Sequence, residues 1–215
     1  VLGANNSGIQ VLPALLSGKI DAGDYDLVQV PEDFRIVSFS GQQELYEEEV
    51  RNDDSDYLDR IDPGTPASSF LADTDETADL VRLFSLEHVL DSGYRQLSSG
   101  ESRKLLMLEV ISHGSRHLLV ENPYDGLDIE SCREFDRISN GLKERGVGLI
   151  VLLTSFRDIP DWCSHLLYID GGAVAACGVR EEVVKIVESR ETAGWGQVTL
   201  QDGKEQPNNR EELIH

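Results

Sequence analysis

The chain has 215 residues, of which 40% are hydrophobic and 27% are charged, a balance that predicts one sizeable core and excludes a disordered or fibrous protein. Its formal net charge of −21 would repel a phosphate backbone, which argues against a nucleic-acid binder. The three cysteines have no CxxC spacing and predict neither a disulfide framework nor a zinc site, and without a long apolar run or a secretory signal we expect a cytoplasmic domain.

The chain opens with a strand that leads through a turn into a helix. Val1-Leu2-Gly3 is typical of the end of a buried strand, and we expect the strands that would precede it to be missing. Turn residues occupy positions 3–8, and apolar residues recur at helical spacing over residues 9–16. This segment is therefore predicted as strand, loop and helix.

The middle of the chain predicts a helical region. Residues 34–39 are typical of a short strand, whereas the acidic stretch 42–62 favours a solvated helix or loop. A break at Pro63-Gly64-Thr65-Pro66 precedes a helix predicted over residues 77–89. With the helix that follows Gly100, these segments predict a helical insertion at about residues 42–112.

Strands and helices alternate in the second half of the chain. The predicted elements are a helix to residue 112, a strand at 117–120, a helix at 129–145, a strand at 148–153, a hairpin of 166–169 with 173–176, and a helix at 180–189. This alternation predicts an α/β fold with a largely parallel sheet. We expect one domain over residues 1–190 and a polar linker or tail over residues 191–215.

A glycine-rich loop near the start has the spacing of a phosphate-binding P-loop. In the pattern GxxxxGK[ST], backbone N–H groups cradle phosphate, the lysine contacts the β and γ phosphates, and the hydroxyl binds Mg²⁺. Gly3 and Gly8 keep that spacing, but Ile9 takes the lysine position and Gln10 the hydroxyl position. By itself the loop is better explained as an ordinary strand-to-helix turn. The candidate nucleotide-binding residues here are Gly3, Asn5, Asn6, Ser7, Gly8, Ile9, Gln10 and Val11.

A second motif, Leu97-Ser98-Ser99-Gly100-Glu101, stands at the start of a predicted helix. Ser98 and Glu101 have the S-x-x-E spacing of a capping box. The free N–H groups of a helix N-terminus, with small hydroxyls and a glycine beside them, also suit an incoming γ-phosphate. The motif resembles the LSGGQ signature of the ABC ATPases.

The segment after the next strand carries the candidate acid and base. In the ABC family the Walker B aspartate ends this strand and holds Mg²⁺ through water, and a following glutamate is the general base. Glu121 and Asn122 occupy these positions, about twenty residues beyond the signature. Asn122 cannot accept a proton, so hydrolysis at this site is predicted to be severely impaired. Gly126, Leu127 and Asp128 match the family's D-loop.

Two further family positions are occupied less clearly. Thr154 best matches the switch histidine, and its hydroxyl could bond a γ-phosphate but lacks the second nitrogen of an imidazole. Gln42 or Gln43 is the candidate Q-loop glutamine, and both stay open because Phe39 falls where that glutamine is often found.

The resemblance runs from Gly3 to about Ser189 and looks closest to the first half of tandem ATP-binding proteins associated with molybdate transport and photorepair. It implies a P-loop NTPase-like ABC nucleotide-binding fold with a helical subdomain, and ATP and Mg²⁺ as cofactors. In the family, a nucleotide lies between the P-loop of one domain and the signature of the other. The implied partner is a second ABC domain, either a tandem half or another copy, and through it a membrane transporter subunit.

These observations lead to two functional hypotheses. The first is an ABC-type ATP-binding domain that is degenerate in its own P-loop and catalytic base but contributes its signature helix to a composite ATP site. The alternative is a non-enzymatic interaction or regulatory module that has kept the fold without nucleotide. The family is an ATPase family, but this chain alone is predicted to be inactive or very weak, and no metal ligands are predicted.

Overall fold

A computed structural model describes residues 1–4, 7–19, 29–53, 55 and 62–195. The helices are α1 (Leu12–Leu16), α2 (Phe39–Arg51), α3 (Asp75–Phe84), α4 (Ser99–Ser112), α5 (Ile129–Glu144) and α6 (Arg180–Trp195). The strands are β1 (Phe34–Val37), β2 (His117–Glu121), β3 (Gly148–Leu152), β4 (His165–Asp170) and β5 (Ala173–Val179). Short 3-10 turns occupy Ile9–Val11, Ala67–Phe70, Glu87–Val89, Tyr94–Gln96 and Phe156–Asp158.

The described strands form a three-stranded parallel sheet and a two-stranded antiparallel sheet. Strands β1, β2 and β3 lie side by side in parallel register, and β4 pairs with β5 in an antiparallel hairpin. Leu2 joins the two parts, because it forms parallel bridges to both Leu153 and Tyr168. The predicted α/β fold with a mostly parallel core is confirmed, and the start of the chain lies in the middle of the sheet.

The helices cover the sheet with a continuous apolar core. Leu118, Leu119 and Val120 of β2 are all buried, because both faces of the strand are covered. Leu118 and Val120 lie in the main core, together with residues of α3, α4 and α5. The largest fully buried side chains include Tyr94, Phe84, Leu108 and Ile138. Burying an apolar side chain of this size contributes about 1.5–3 kcal/mol, so this packing fixes α4 relative to the end of β2.

Several element boundaries differ from the sequence prediction. The strand predicted over 34–39 ends at Val37, and Phe39 begins a helix because the Ser38 hydroxyl caps it by accepting the Gly41 N–H at 3.1 Å. The helix predicted over 77–89 starts at Asp75 and ends at Phe84. Ser85 has a left-handed φ of 56° that stops it, and a separate 3-10 turn follows.

The end of the chain also differs from the prediction. The helix predicted to end at residue 189 continues as α6 to Trp195, past the expected boundary at residue 190. The rest of the predicted linker, residues 196–215, lies outside the described residues. Within the described parts, no helix is both long and apolar enough to cross a membrane.

Candidate functional site

The loop that resembles a P-loop is held against the β4–β5 turn. Ser7 donates its N–H to the Ala4 carbonyl at 2.9 Å, and its own carbonyl accepts the Gly172 N–H at 2.8 Å. Gly8 has a left-handed φ of 95°, and a Cβ there would lie 3.3 Å from the Cα of Gly172, so this close approach favours glycine. The candidate residues Asn5 and Asn6 lie outside the described residues.

The residue at the lysine position of this loop is directed into the protein interior. Ile9 is 2% exposed and packs with Leu119 and Leu152 in a small apolar cluster beneath the loop. Its N–H lies 3.4 Å from the Ser7 hydroxyl oxygen, which accepts it. Gln10 is exposed at the position of the Mg²⁺ hydroxyl. The loop thus presents a polar amide to solvent and an apolar side chain to the core.

The helix after this loop is short. The 3-10 turn Ile9–Val11 leads into α1, which has five residues and carries Pro13 near its start. A helix of this length aligns few peptide dipoles, so it contributes little to binding an anion. Val11 is 48% exposed and lies on the surface.

The second motif forms a capping box at the start of α4. The Ser98 hydroxyl accepts the Glu101 N–H at 3.3 Å, and the Glu101 carboxylate accepts the Ser98 N–H at 2.8 Å. Ser99 is exposed, and a Cβ built on Gly100 would meet nothing within 4 Å. The capping predicted from the sequence is present, and the first turn of α4 is open beside it.

This helix start forms one wall of a cleft of about 850 Å³, and the loop after β2 forms the other. The lining residues are Ser40, Ser98, Ser99, Gly100, Arg103, Glu121, Asn122, Asp125, Gly126, Leu127, Asp128 and Ser131. A second cleft, of about 630 Å³, lies on the other side of Glu121 and is lined by Gln10, Ser38 and residues of α1 and β1. Glu121 lines both clefts, and its burial raises the pKa of the carboxyl group.

The loop after β2 turns sharply at Asn122. This residue has a left-handed φ of 42°, which asparagine tolerates better than most residues. Its N–H donates to the Leu152 carbonyl at 2.9 Å, and its carbonyl accepts the Asp125 N–H at 3.1 Å. The peptide of Asn122 is therefore fixed between β3 and the following turn.

Side chains from neighbouring helices hold the rest of this loop. The Asp136 carboxylate of α5 accepts the Tyr124 hydroxyl at 2.6 Å and the Trp162 indole N–H at 2.8 Å. Burial and this carboxylate raise the pKa of the Tyr124 phenol. Arg103 of α4 donates to the Pro123 carbonyl at 3.0 Å and connects the two walls of the cleft.

The D-loop candidates lie at the far end of the same loop. Gly126 has a left-handed φ of 74°, and Leu127 follows it along the cleft wall. Asp128 caps α5 by accepting the Ser131 N–H at 2.8 Å, and this bond lowers the pKa of the Asp128 carboxyl. The structure therefore brings the signature, Walker B and D-loop candidates to one cleft.

Comparison with solved structures shows which fold positions these residues. MJ1267, an ATP-binding cassette of an ABC transporter, superposes with a TM-score of 0.67 at 16% identity over 92% of this chain and 86% of that chain. CbiO1 from Clostridium perfringens, described as part of the ABC transporter complex cbiONQ, gives 0.61 at 16% identity over 91% and 84%. These two likenesses show the fold.

Sequence relatives agree with the fold. The ABC transporter ATP-binding protein ModF of Escherichia coli (strain K12) is 25% identical over 190 residues, or 86% of this chain and 39% of ModF. The lipopolysaccharide export system ATP-binding protein LptB of Haemophilus influenzae is 27% identical over 110 residues, or 51% of this chain and 46% of LptB. The chain thus has the fold of an ABC nucleotide-binding domain and is similar in sequence to ABC ATP-binding proteins. It spans less than half the length of these two curated relatives, and no protein-family profile matches it.

The Q-loop candidates of this ABC domain do not line either cleft. Gln42 is 9% exposed on α2 and donates its side-chain amide to the Ser99 carbonyl at 3.1 Å, and its Oε1 is buried without a partner in the described residues. Gln43 is exposed and donates to Glu47 at 3.0 Å, one helical turn away. A contact of either glutamine with nucleotide therefore stays a prediction. Of the residues near them, Ser38 and Ser40 line the clefts.

The switch candidate Thr154 follows β3 and is half-buried. It is absent from the lining of both clefts, and its neighbour Ser155 caps the 3-10 turn Phe156–Asp158 by accepting the Arg157 N–H at 3.3 Å.

Sequence reasoning did not single out Arg103 or Ser131, which line the cleft of about 850 Å³. Arg103 lies one turn after the signature, a spacing that places it on the same helix face as Ser99. In the described part of the chain, no three His, Cys, Asp or Glu side chains are arranged to hold a metal ion.

Proposed function

We propose that this ABC domain does not hold nucleotide on its own P-loop and instead contributes the start of α4 to ATP bound by a second ABC domain. The observation that carries the proposal is the contrast between the two candidate loops. Ile9 is 2% exposed and its side chain is apolar, whereas Ser99 is exposed and Gly100 opens onto the cleft of about 850 Å³.

The residues of the P-loop do not fit ATP with Mg²⁺. A bound triphosphate needs positive charge near its β and γ phosphates, and the side chain at position 9 is an isoleucine packed beneath the loop. Gln10 offers an amide where Mg²⁺ prefers a hydroxyl or carboxylate oxygen. The side chain of Asn122, at the position of the general base, cannot accept a proton. We therefore do not expect hydrolysis at the chain's own site.

The start of α4 fits a phosphate that another domain supplies. The helix has fourteen residues, so its N-terminal dipole and first N–H groups are well developed. In the described residues, the Ser99 hydroxyl has no hydrogen-bond partner, and Gly100 leaves space for close approach. The D-loop residues Leu127 and Asp128 lie across the same cleft, and we assign them to the contact with the second domain.

The proposed partner is a second ABC domain, either attached through the polar segment after residue 195 or supplied as a separate chain. ModF and LptB are ATP-binding proteins of transport systems, and cbiO1 is part of a transporter complex. By this likeness we propose a cytoplasmic protein that reaches a membrane transporter subunit through its partner. A link to molybdate transport follows from the likeness to ModF alone.

A direct test measures ATP binding and hydrolysis with and without a second ABC domain that has an intact P-loop lysine and base. The chain alone is expected to give no calorimetric signal with ATP and Mg²⁺ and no steady-state turnover. Adding it to the second domain, or fusing it to that domain, is expected to increase turnover. Turnover by the chain alone would refute the proposal, and no effect on the second domain would favour the non-enzymatic interaction module instead.

A further inference from the structure

One carboxylate oxygen of α5 holds side chains from two different loops. The Oδ1 atom of Asp136 accepts the Tyr124 hydroxyl at 2.6 Å and the Trp162 indole N–H at 2.8 Å. Tyr124 lies in the D-loop segment, residues 122–128, which connects β2 to α5. Trp162 lies in the switch segment, residues 153–164, which connects β3 to β4. The two segments are thus joined through a residue that belongs to neither.

Asp136 is the hydrogen-bonded link between these segments. In the part of the chain that the structure describes, no hydrogen bond and no ion pair runs directly from the D-loop segment to the switch segment. The Asn122 N–H instead donates to the Leu152 carbonyl at the end of β3. No other described residue forms hydrogen bonds to both segments. A displacement of one segment therefore has Asp136 as its hydrogen-bonded route to the other.

The link depends on a carboxylate that has no cation beside it. Asp136 is half-buried and forms no ion pair among the described residues. Hydrogen bonds to a carboxylate are shorter and stronger than those between neutral groups, so both donors are held firmly. Burial and this carboxylate raise the pKa of the Tyr124 phenol, which therefore keeps its proton and stays a donor at neutral pH.

Tyr124 is also fixed to the turn that follows it. Its carbonyl accepts the Leu127 N–H at 3.2 Å, so a movement of the D-loop turn displaces Tyr124. Its ring packs edge-on against Phe135, with centroids 5.3 Å apart and an interplanar angle of 81°. At the other end of the link, the segment that holds Trp162 also carries the switch candidate Thr154.

We propose that Asp136 is a positioning residue that makes the D-loop segment and the switch segment move together, through Tyr124 and Trp162. Contact of a second ABC domain with the D-loop is then transmitted to the segment that carries Thr154. The inference rests on the proposed function for this contact, whereas the link itself is a property of the chain alone.

The first experiment displaces the D-loop within the full chain and follows the Trp162 indole N–H by NMR. Gly126→Ala provides the displacement, because Gly126 has a left-handed φ of 74° and an added Cβ would meet nothing within 4 Å. The indole signal and the amide signals of residues 155–163 are expected to shift. In a chain that also carries Asp136→Leu, these shifts are expected to be lost relative to Asp136→Leu alone. Trp162→Phe assigns the indole signal, since the chain has two tryptophans.

Tyr124→Phe repeats the test without changing Asp136, so the result does not depend on whether Asp136→Leu folds. It removes the hydroxyl and keeps the ring against Phe135, and the response of Trp162 to Gly126→Ala should again be lost. Tyr46→Phe is the matched control, because Tyr46 is an exposed tyrosine without a hydrogen bond to another described residue. It should leave the response unchanged. Circular dichroism checks that each variant is folded.

Two results would overturn the inference. The first is a response to Gly126→Ala of equal size with and without the Tyr124 hydroxyl or the Asp136 carboxylate. The second is the absence of any shift at residues 155–163 when Gly126→Ala is the sole change.

A second readout separates this inference from the proposed function. The second ABC domain is added with ATP, and the Trp162 indole signal is followed in the wild-type chain and in Tyr124→Phe. If Gly126→Ala acts through Asp136 but the second domain does not move the indole signal, the link stands and the proposed D-loop contact fails. If the chain raises turnover of the second domain while Gly126→Ala shifts nothing beyond the D-loop, the proposed function stands and the link is refuted.

Discussion

Two residues that depart from the ABC pattern each suit the conformation in which they lie. Ile9 fills an apolar cluster with Leu119 and Leu152, and Asn122 adopts a left-handed φ of 42° that few other side chains tolerate. A change at position 9 therefore also alters the packing, and a change at position 122 also strains the backbone. Restoring the residue types of an active ATPase is expected to disturb the fold at both positions.

The change Asn122→Glu is expected to leave ATP hydrolysis undetectable and to lower stability. A glutamate in the left-handed region costs roughly 1–2 kcal/mol, which for a chain of this size lowers Tm by about 2–8 °C. Asn122→Gly is the control, because glycine adopts a positive φ freely and should keep or raise Tm. Thermal unfolding and a steady-state ATPase assay provide the measurements, and turnover restored by this single change would contradict the prediction.

The change Ile9→Lys is expected to destabilise the chain by about 2–5 kcal/mol, because it removes a buried branched side chain and places an ammonium group among apolar residues. Ile9→Met keeps the volume and should cost less than about 1.5 kcal/mol. Denaturant unfolding measures the free energy of unfolding of both variants. Wild-type stability of Ile9→Lys would contradict the prediction and show that the loop rearranges freely.

The triple variant with Ile9→Lys, Gln10→Ser and Asn122→Glu is expected to bind ATP measurably only if the lysine leaves this apolar cluster.

The helix ends illustrate which elements the sequence could predict. The start of α4 followed from Ser98 and Glu101, and that of α5 was placed correctly, because caps are local and depend on residues three positions apart. The start of α2 was missed, since the apolar pattern of β1 extends to Phe39 while the capping Ser38 precedes it. Nothing in the sequence indicated that α3 ends at Ser85, because a serine with positive φ is uncommon.

The cap of α5 gives a prediction for the pH dependence of stability. The Asp128 carboxyl has a lower pKa in the folded chain than in the unfolded one, chiefly through the Ser131 N–H. The unfolded chain therefore binds more protons as the pH falls, and the stability that this group adds above its unfolded pKa of 3.8 is lost below it. Asp128→Asn keeps the acceptor and does not titrate, so its Tm should match the wild type at neutral pH and fall less on acidification.

Thermal unfolding from about pH 6 to about pH 3 tests this. Asp91→Asn is the control, because Asp91 is exposed and makes no hydrogen bond or ion pair in the described residues. It should follow the wild-type curve. An acid-induced loss of Tm in Asp128→Asn equal to that of the wild type would show that the cap does not contribute to the pH dependence.

Contacts between distant elements were beyond sequence reasoning. The spacing of Gly3 and Gly8 predicted the loop but not that Ile9 would pack under it, because this depends on how β2 and β3 are placed. In the same way, the bonds of Tyr124 and Trp162 to Asp136 join residues whose types carry no shared pattern. Motif order predicted which segments meet at the cleft, and tertiary packing decided which side chains reach it.

At the scale of the whole molecule, the two walls of the cleft differ in what they offer a phosphate. The start of α4 supplies N–H groups and the Ser99 hydroxyl, whereas Glu121, Asp125 and Asp128 give the facing wall a negative charge. The chain carries a formal net charge of −21, which adds long-range repulsion toward a nucleotide. Arg103 also lines the cleft but is outnumbered by these carboxylates. Under the proposed function, we therefore expect most of the cations that hold ATP to come from the second domain, and the chain's contribution to strengthen as salt screens its own charge.

Gly100→Asp tests this division of roles between the two domains. A Cβ at position 100 meets nothing within 4 Å, and the glycine does not need a positive φ, so the variant should fold with a Tm close to that of the wild type. The added carboxylate would face the γ-phosphate held by the second domain, and repulsion should lower ATP-dependent association and turnover there by about tenfold or more. Gly100→Asn has nearly the same size without the charge and should lose less. If both variants act like the wild type in turnover and association, the start of α4 is a helix cap alone and the composite-site proposal fails.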